Sequence, residues 1–495
     1  MNFINNSLQY PVYSKEQILT LETKAISEHN IKSYELMQSA GKAAFNFIRE
    51  CYPDAKRIIV VTGAGNNAGD GYVLARLLHQ ADYYCAAMPV VPITKLRGDA
   101  MRAQNEFAIH DGIDVEPNEE IPQCDLIVDA LFGTGLSRPI EGKFAEIIES
   151  INHTPTPVLS IDIPSGLSAN SGNPLGPTIY ANHTITFIGL KTGLITSEAR
   201  NYTGNISVDS LSLPDSLFDE VENLGLSMSD SLINRLLPPR KASAYKNNFG
   251  HVLVIGGNIG YPNAARLAGE AAARTGAGLV SVATHPDNIA AIASGCASLM
   301  VKGIHEPSDI SDLIQKADVI AIGPGLGQDK WAQKIFARVI DYSKPLVVDA
   351  DALRLLAKNP SKCNHWILTP HPGEAAALLA CSSNDIQSNR SSSALAIQEQ
   401  YSGVTVLKGA GTLTCSEQQI YFCTAGNVSL ATGGTGDVLT GIIAGLVAQG
   451  ISLLDAANAG TMIHGKAAEL VSKKGCRGVL AQDLFPAIYT LINQG

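Results

Sequence analysis

Hydrophobic residues along the chain form short β-branched runs that alternate with longer stretches of helical periodicity. In the first half, the runs have the length and continuity of buried parallel strands, both faces of which are covered. They occupy residues 57–63, 83–90, 124–133 and 157–166. Helical patterns lie between them, for example over residues 71–80 and 100–110. This alternation predicts βαβ units and therefore an α/β fold with a doubly wound parallel sheet.

The second half repeats the alternation after one interruption. Residues 213–248 are acidic at first and end in a Pro-Pro-Arg-Lys turn, which predicts a domain boundary near residues 220–230. We therefore expect two domains, residues 1–222 and 223–495. The strand-like runs of the second domain cover residues 250–257, 276–284, 317–327, 345–353, 365–374 and 403–412.

Polar residues and glycines follow three of the first-domain strands directly. The stretches are GAGNNAGDGY (63–72), DALFGTGLSRP (129–139) and SIDIPSGL (160–167). Ligands bind at the carboxyl ends of parallel strands, so these residues are expected at one crevice. The first stretch has the spacing Gly-x-Gly-x-x-x-Gly, which matches a dinucleotide fingerprint only weakly. Arg138 is either a phosphate ligand or an ordinary surface residue.

Near the end of the chain, GGTGDVLTGIIAGL (433–446) places Asp437 where a glycine loop turns into an apolar helix. The first N–H groups of a helix have no partner inside it and favour an anion. Asp437 is therefore either a simple helix cap or a base beside a phosphate site.

Composition and charge exclude several classes of protein. The formal net charge of −10 argues against a nucleic-acid partner, because no basic surplus neutralises phosphates. Nine cysteines without a CxxC pair indicate reduced thiols and neither a disulfide framework nor a zinc site. Neither a signal peptide nor a bilayer-spanning apolar stretch is evident, so we expect a cytoplasmic protein without membrane contact.

Taken in order, the motifs resemble a known pair of enzyme families. The stretches NNAGDG, DALFGTGLSRP, DIPSG and FIGLKTGL are similar to the NAD(P)H-hydrate epimerase domain. The later stretches GHVLVIGG, GPGLG, DADAL, TPHPGE, LKGAGT, AGN and GGTGD resemble the ADP-dependent NAD(P)H-hydrate dehydratase of the ribokinase-like superfamily. The resemblance implies an N-terminal Rossmann-like αβα sandwich followed by a ribokinase-like α/β domain. It also implies repair of hydrated NADH and NADPH by epimerisation of the R and S hydrates and ADP-dependent dehydration of the S hydrate.

In the first domain, the resemblance implies a hydrate site and a potassium site. Asp162 would move the hydroxyl proton, and Lys191 would be a supporting charge unless it is a solvated strand-end lysine. Potassium would be held by Asn67, Asp129 and Ser165. The substrate would contact Asp162 and two segments: Asn66, Asn67, Ala68, Gly69, Asp70; and Gly133, Thr134, Gly135, Leu136, Ser137, Arg138, Pro139.

In the second domain, Asp437 would be the base that takes the proton from the attacking hydroxyl. Ala264, Gly325 and His371 would contact the hydrate together with Asp437; alternatively, His371 is a core residue or a cap before Pro372. ADP would be bound, with magnesium, by residues Lys408, Gly409, Ala410, Gly411, Thr412 and Gly436. We also expect a homo-oligomer, a tetramer or larger.

Two other functions compete with this interpretation. A small-molecule kinase of the hydroxymethylpyrimidine type would share GGTGD, but it has no use for NNAGDG and DIPSG in one crevice. A nucleotide sensor without catalysis would need neither Asp162 nor Asp437. One departure from the family pattern lies at residues 244–247, Ala-Tyr-Lys-Asn, where a Lys-Gly pair is usual.

Overall fold

The computed structural model describes residue 4 and residues 8–117 and 121–493 of the chain. Contacts within the chain separate two compact units, whose boundary lies between Gly225 and Leu226. Each unit is an α/β layered structure with its own sheet.

The first unit contains a seven-stranded parallel sheet, which confirms the parallel arrangement expected from the sequence. Its strand order is β4-β3-β2-β5-β6-β7-β9, and β1 and β8 form a separate parallel pair. The strands are β1 Pro11–Tyr13, β2 Arg57–Thr62, β3 Tyr84–Pro89, β4 Ile113–Asp114, β5 Leu126–Ala130, β6 Val158–Ile161, β7 His183–Phe187, β8 Leu190–Lys191 and β9 Asn205–Asp209.

Hydrophobic clusters cover both faces of this sheet. In β2, Ile58 and Val60 belong to one cluster, whereas Ile59 and Val61 belong to another on the opposite face. Because successive side chains of a strand point to opposite faces, burial of both faces accounts for the unbroken apolar run of β2. The helices are α1 Lys15–Ser27, α2 Ser33–Cys51, α3 Asn66–Gln80, α4 Gly98–Ile109, α5 Lys143–His153 and α6 Asp215–Asp219.

The start of α3 differs from the sequence-based expectation of a helix over residues 71–80. The helix begins at Asn66, so the NNAGD segment forms its first turns and is not a loop before it. Gly69 in this segment and Gly71 directly after it both lie close to neighbouring elements. A Cβ at Gly69 would lie 2.5 Å from the Met37 side chain, and one at Gly71 would lie 2.7 Å from Ala130. Tertiary packing therefore outweighs the low helix propensity of glycine.

In the second unit, the strand order is β13-β12-β11-β14-β15-β16-β17-β18-β19-β10. All neighbours are parallel except β18, which runs antiparallel to β17 and β19. The strands are β10 Gly225–Ser227, β11 His251–Ile255, β12 Leu279–Thr284, β13 Met300–Gly303, β14 Val319–Ile322, β15 Leu346–Val348, β16 Trp366–Leu368, β17 Val404–Leu407, β18 Leu413–Cys415 and β19 Ile420–Phe422.

Twelve helices surround this second sheet in the described residues. They are α7 Ser231–Leu236, α8 Pro262–Thr275, α9 Ile289–Gly295, α10 Ser311–Lys316, α11 Lys330–Ile340, α12 Ala350–Lys358, α13 Pro372–Leu379, α14 Ser383–Ser388, α15 Arg390–Tyr401, α16 Thr435–Ala448, α17 Leu453–Val471 and α18 Leu484–Leu491. Helices α8 and α16 pack backbone to backbone: a Cβ at Gly441 would lie 2.1 Å from the carbonyl oxygen of Ala268. This contact fixes the start of α16 relative to the core.

No helix within the described ranges combines the length and the apolar composition needed to cross a membrane. All nine cysteines are free thiols.

Candidate active sites

The first candidate site lies at the carboxyl ends of β2, β5 and β6, which are neighbours in the sheet. Residue Asp129 is paired with Ser160 across β5 and β6, and Asp162 follows β6 directly. The three sequence stretches that follow these strands are therefore brought to one edge of the sheet, as the strand pattern predicts.

Asp129 lies at the centre of a buried hydrogen-bond network. Its Oδ1 accepts hydrogen bonds from the Ser165 hydroxyl at 2.5 Å and the Leu131 N–H at 3.2 Å. Its Oδ2 accepts hydrogen bonds from the Ser160 hydroxyl and the Ser165 N–H, both at 2.8 Å. Burial raises the pKa of the Asp129 carboxyl, and these hydrogen bonds oppose that rise. The network fixes the carboxylate and the DIPSG turn together.

Asp162 and Lys191 form an ion pair at the same edge. The Lys191 Nζ lies 2.7 Å from Asp162 Oδ1, and the lysine side chain is only 1% exposed. The alternative that Lys191 is a solvated strand-end residue is therefore wrong. Asp162 has a φ of 70°, in the left-handed region, and its Oδ2 accepts a hydrogen bond from the Thr134 N–H at 3.2 Å. Such a conformation costs free energy and is common at functional sites.

Asn67 presents a buried amide that has no partner. The residue is 6% exposed, and neither its Oδ1 nor its Nδ2 has a hydrogen-bond partner among the described residues. Buried polar side-chain atoms are nearly always hydrogen-bonded. The unpaired amide of Asn67 therefore indicates that a ligand binds at this position.

The remaining predicted contacts of the first site lie on α3 and on the turn after β5. Residues 66–70 form the first turns of α3, and residues 133–139 form an irregular turn. Arg138 is exposed and makes neither a hydrogen bond nor an ion pair with the described residues. Both its interpretations, as phosphate ligand and as surface residue, remain open.

The second candidate site lies where β15, β17 and the start of α16 come together. Lys408, directly after β17, places its Nζ 2.7 Å from Oδ1 of Asp349, directly after β15. The Thr440 hydroxyl donates to the other carboxylate oxygen of Asp349 at 2.7 Å. On the α16 side, a Cβ at Gly436 would lie 3.5 Å from Lys408 Nζ. The lysine therefore lies between the strand ends and the glycine loop.

Asp437 occupies the first turn of α16, whose N-cap Gly434 has a left-handed φ of 92°. The N-cap of α16 is Gly434, which has no side chain, and Asp437 lies three residues beyond it. The interpretation of Asp437 as a simple helix cap is therefore wrong. Burial raises the pKa of Asp437 to about 7; the carboxylate of Asp349 adds to the rise and Lys408 opposes it. A carboxyl with this pKa can accept or return a proton near neutral pH.

Glu374 and His371 are further ionisable groups of the second site. Glu374 is 5% exposed, and its Oε1 and Oε2 lie 3.3 Å from His371 Nε2 and 3.8 Å from Lys408 Nζ, respectively. His371 is the N-cap of α13 and accepts from the Gly373 and Glu374 N–H groups through Nδ1. The alternative of a cap before Pro372 thus describes the local geometry of His371, whereas its contact with the hydrate stays a prediction. Burial and the charge of Lys408 lower the pKa of His371.

The predicted hydrate contacts Ala264 and Gly325 also come together. A Cβ at Gly325, whose φ is 61°, would lie 3.2 Å from the Ala264 Cβ and 2.8 Å from the Tyr261 carbonyl oxygen. Only glycine fits here without strain. The Tyr261 side chain beside them is 65% exposed.

Arg390 binds the backbone of the predicted ADP loop, residues 408–412. This guanidinium is 3% exposed and donates to the carbonyl oxygens of Leu407, Lys408 and Gly411 at 3.2–3.3 Å. The departure from the family pattern at residues 244–247 lies on an exposed turn, with Tyr245 62% exposed.

Sequence reasoning did not assign roles to Asp349, Glu374 and Arg390. Asp349 and Glu374 stand in the DADAL and TPHPGE stretches, so their motifs were recognised but their charges were not used. Arg390 lies in none of the recognised motifs, so only the structure shows its role in holding the loop. Glu22 on α1 was also missed, although its pKa responds to Asp162 and Lys191.

Known proteins match this chain over both units. The bifunctional NAD(P)H-hydrate repair enzyme Nnr of Coxiella burnetii is 44% identical over 97% of this chain and 99% of its own length. The enzyme of the same name from Escherichia coli is 41% identical over 98% of this chain and 95% of its own length. The chain belongs to the family of bifunctional NAD(P)H-hydrate repair enzymes. The family resemblance predicted from the sequence is therefore confirmed.

Two family models match this repair enzyme, one in each unit. The model of the YjeF-related protein N-terminus matches residues 33–193, and the NAD(P)H-hydrate dehydratase model matches residues 252–490. A ribokinase-like superfamily protein from Enterococcus faecalis superimposes with a TM-score of 0.51 at 30% identity, over 54% of this chain and 94% of its own. The predicted fold class, an α/β protein with a ribokinase-like second half, is confirmed.

Proposed function

We propose that the chain repairs hydrated NADH and NADPH at two separate sites. Residues 1–222 form an epimerase domain that interconverts the R and S hydrates. Residues 223–495 form a dehydratase domain that restores NAD(P)H from the S hydrate at the expense of ADP, giving AMP and phosphate. The observation that carries this proposal is that each unit has its own buried carboxylate–lysine pair, Asp162–Lys191 and Asp349–Lys408, where parallel strands end.

In the dehydratase site, Asp437 takes the proton from the hydroxyl of the hydrated ring. The hydroxyl oxygen then attacks the terminal phosphorus of ADP and displaces AMP. When phosphate later leaves the ring together with that oxygen, the adjacent ring carbon loses a proton and the ring double bond forms again. A pKa of about 7 supports this role, because a general base is most effective when its pKa lies near the working pH. The start of α16 and the loop 408–412 supply N–H groups for the phosphates, and Lys408 supplies a positive charge.

Ala264, Gly325 and His371 form the hydrate side of the dehydratase site, and Gly436 belongs to its ADP side. The contact between Ala264 and Gly325 supports the first assignment. The proximity of Gly436 to Lys408 supports the second. Magnesium is usually held by one or two carboxylates and the phosphates of its nucleotide. The Asp351 carboxylate, which accepts a hydrogen bond from the Gly327 N–H at 2.8 Å, is an oxygen ligand of that type. Magnesium held there would neutralise negative charge on ADP.

In the epimerase site, Asp162 moves the hydroxyl proton, and Lys191 holds its carboxylate in place. Residues 66–70 and 133–139 contact the hydrate. Asn67, Asp129 and Ser165 would hold potassium, which prefers such oxygen donors. The donor set fits the ion. Asn67 Oδ1 has no partner, and the Ser165 hydroxyl, 3.3 Å from the Phe132 carbonyl oxygen, can turn there and release Asp129 Oδ1.

The experiment that tests the proposal is incubation of the purified protein with mixed hydrate epimers and ADP. Absorbance of the restored reduced nicotinamide should rise while AMP and phosphate form in equal amounts. We expect ATP to support repair much less well. Equal or faster repair with ATP would overturn the choice of ADP. Phosphorylation of a hydroxymethylpyrimidine without any hydrate repair would favour the kinase alternative.

We further propose that the protein is cytoplasmic and that it forms a homo-oligomer, a tetramer or larger. The absence of a helix able to cross a membrane in the described residues is compatible with the location. Light scattering of the full chain measures the oligomeric state directly.

A further inference from the structure

Three carboxyl groups of the epimerase site interact electrostatically with Lys191. Asp162 is paired with Lys191. Asp70, on α3, interacts electrostatically with Asp162, Glu22 and Lys191. Glu22, on α1, interacts with Asp162 and Lys191. Asp70 and Glu22 are both partly buried, and the function proposed above leaves Glu22 without a role.

Lys191 has no hydrogen bond left for the other two carboxyl groups. An ammonium group has three N–H bonds. Its acceptors are Asp162 Oδ1 at 2.7 Å, the Thr186 hydroxyl at 2.7 Å and the Phe187 carbonyl oxygen at 3.0 Å. Asp70 and Glu22 therefore share the positive field of the lysine without being bonded to it.

Asp70 lies on the same face of α3 as Asn67, the face proposed to contact the hydrate. It follows Asn67 by three residues, so the two side chains share one face of the helix. Asn67 is 6% exposed and its amide atoms have no partner. A Cβ placed at Gly133 would lie 3.0 Å from Asp162 Oδ2 and 3.4 Å from Asn67 Cβ. The face that carries Asn67 and Asp70 is thus turned towards the Asp162 carboxylate.

Glu22 lies on α1, which packs beside the strand that carries Lys191. Strand β1 pairs with β8 so that Tyr13 stands beside Lys191, and α1 starts two residues later. On α1, Ile18 is one turn before Glu22 and on the same face. The Ile18 Cδ1 would lie 3.2 Å from a Cβ at Gly189, which is two residues before Lys191. This register places Glu22 on the face of α1 that covers β8.

Three carboxyl groups face one lysine, so full ionisation of the cluster would leave an excess of negative charge. Like charges at one site disfavour ionisation of both groups. Burial raises the pKa of Asp70 well above its usual range, the charges of Asp162 and Glu22 raise it further, and Lys191 opposes the rise. Burial and the charge of Asp162 also raise the pKa of Glu22. The pairing with Lys191 makes Asp162 the carboxylate of the cluster, and the raised pKa of Asp70 favours its protonated form; this is the arrangement of paired carboxyls in separate acid and base roles.

We propose that Asp70 is the acid that works with the base Asp162 in epimerisation, and that Glu22 is a positioning residue that keeps Asp70 protonated. This inference rests on the epimerase function proposed for the first unit. It adds a second proton carrier to that site and assigns a role to the N-terminal helix.

Asp162 and Asp70 together can carry every proton that epimerisation requires. The hydrated ring carbon bears a hydroxyl group and the ring nitrogen. Asp162 takes the hydroxyl proton, the C–O bond becomes C=O, and the C–N bond breaks with its electron pair passing to nitrogen, which receives the proton of Asp70. After the freed aldehyde rotates, nitrogen attacks its other face and returns its proton to Asp70, while the oxygen recovers its proton from Asp162. Neither an oxidant nor a further reactant is required.

The test compares Asp70→Asn, Glu22→Gln and the control Glu28→Gln in the full chain. Glu28 lies directly after α1 and its side chain is 53% exposed, so the same chemical change is made outside the cluster. The rate of R–S interconversion is followed by chromatography of the epimers between pH 5 and 10, without ADP. Thermal unfolding and the hydrate KM are measured for each variant.

Asp70→Asn should lower kcat for epimerisation by about 10²–10⁴, with a much smaller change in KM and with folding retained. Glu22→Gln removes a negative charge and lowers the pKa of Asp70. Because the acid must be protonated, the alkaline loss of activity should move to lower pH. Glu28→Gln should match the unaltered protein.

Epimerisation within threefold of normal in folded Asp70→Asn would overturn the role of Asp70. An unshifted alkaline limb in Glu22→Gln would overturn the role of Glu22, and this variant still tests the proposal if Asp70→Asn does not fold. Absence of epimerisation in the unaltered protein is a different result, since it contradicts the proposed function itself.

Discussion

Asp437 is surrounded by more negative than positive charge, and this imbalance sets when it can act. Asp349, Asp351 and Glu374 raise its pKa together with burial, which is the largest cause, while Lys408 alone opposes them. With a pKa of about 7, both the ionised and the protonated form of the base are populated near neutral pH. At the residue scale, catalytic competence therefore depends on neighbours that do not themselves react.

The pH profile of dehydration tests this electrostatic account. The base must be ionised, so kcat/KM for ADP-dependent repair of the S hydrate should rise with pH through about 7, the pKa of Asp437. In Asp349→Asn, the loss of a negative charge and the release of Lys408 both lower that pKa, so the rise should move to lower pH. The exposed Asp341→Asn is the control. A profile of Asp349→Asn that stays in place would contradict this explanation.

Lys191 is predicted to stabilise the first unit as well as to orient Asp162. Removing one partner of a buried ion pair typically costs about 3–5 kcal/mol, because the other charge stays buried and unpaired. Asp162 keeps some contact with solvent, 15% of its side chain, so we expect the lower end for Lys191→Met. Calorimetry of the full chain measures the loss. Lys42→Met, an exposed lysine on α2, should change little, and an equal stability of the two variants would contradict the role of the pair.

The sequence was sufficient to place the candidate residues of the first site at one sheet edge, but not to predict which of their charges interact. Asn67, Asp129, Asp162 and Ser165 could be placed because each follows or borders a strand that ends in glycines. The pairing of Lys191 with Asp162 could not be predicted, because the two residues come from different strands and their contact depends on the left-handed turn at Asp162. Sequence patterns report periodicity and turns, but not which buried charges meet.

At the scale of elements, strands were predicted more accurately than helix starts. The apolar runs correspond to β2, β3, β5 and β6 because strands covered on both faces are continuously hydrophobic. The start of α3 was misplaced because residues 66–70 are polar or small and carry no helical periodicity. Only the packing of Gly69 and Gly71 against neighbouring elements explains why the helix extends there.

The packing of α8 against α16 provides a prediction at this scale. Gly441→Ala would place a Cβ 2.1 Å from the Ala268 carbonyl oxygen, which is backbone and cannot rotate away. Overpacking of this kind costs about 1–3 kcal/mol, so the second unit should unfold at a lower temperature. Gly433→Ala is the matched control, because a Cβ there would meet nothing within 4 Å. Unchanged thermal unfolding of Gly441→Ala would show that the helices separate easily.

At the scale of the whole molecule, the two units are predicted to respond independently to their own ions. The proposed potassium ligands Asn67, Asp129 and Ser165 all lie in the first unit. Replacement of potassium by lithium should therefore slow R–S interconversion, while dehydration of the pure S hydrate continues. Rates of both reactions in matched chloride buffers provide the measurement. An equal fall of both activities would mean that the cation does not act at the first unit alone.

The central claim is that the chain carries two independent catalysts, and a time course of both epimers in two variants tests it most directly. Asp437→Asn should abolish ADP-dependent repair of both hydrates, with a loss of about 10²–10⁴ in rate, and leave R–S interconversion intact. Asp162→Asn should do the opposite: the S hydrate is repaired at a near-normal rate, and the R hydrate only as fast as it epimerises spontaneously. Loss of epimerisation in folded Asp437→Asn would contradict the account of two separate sites.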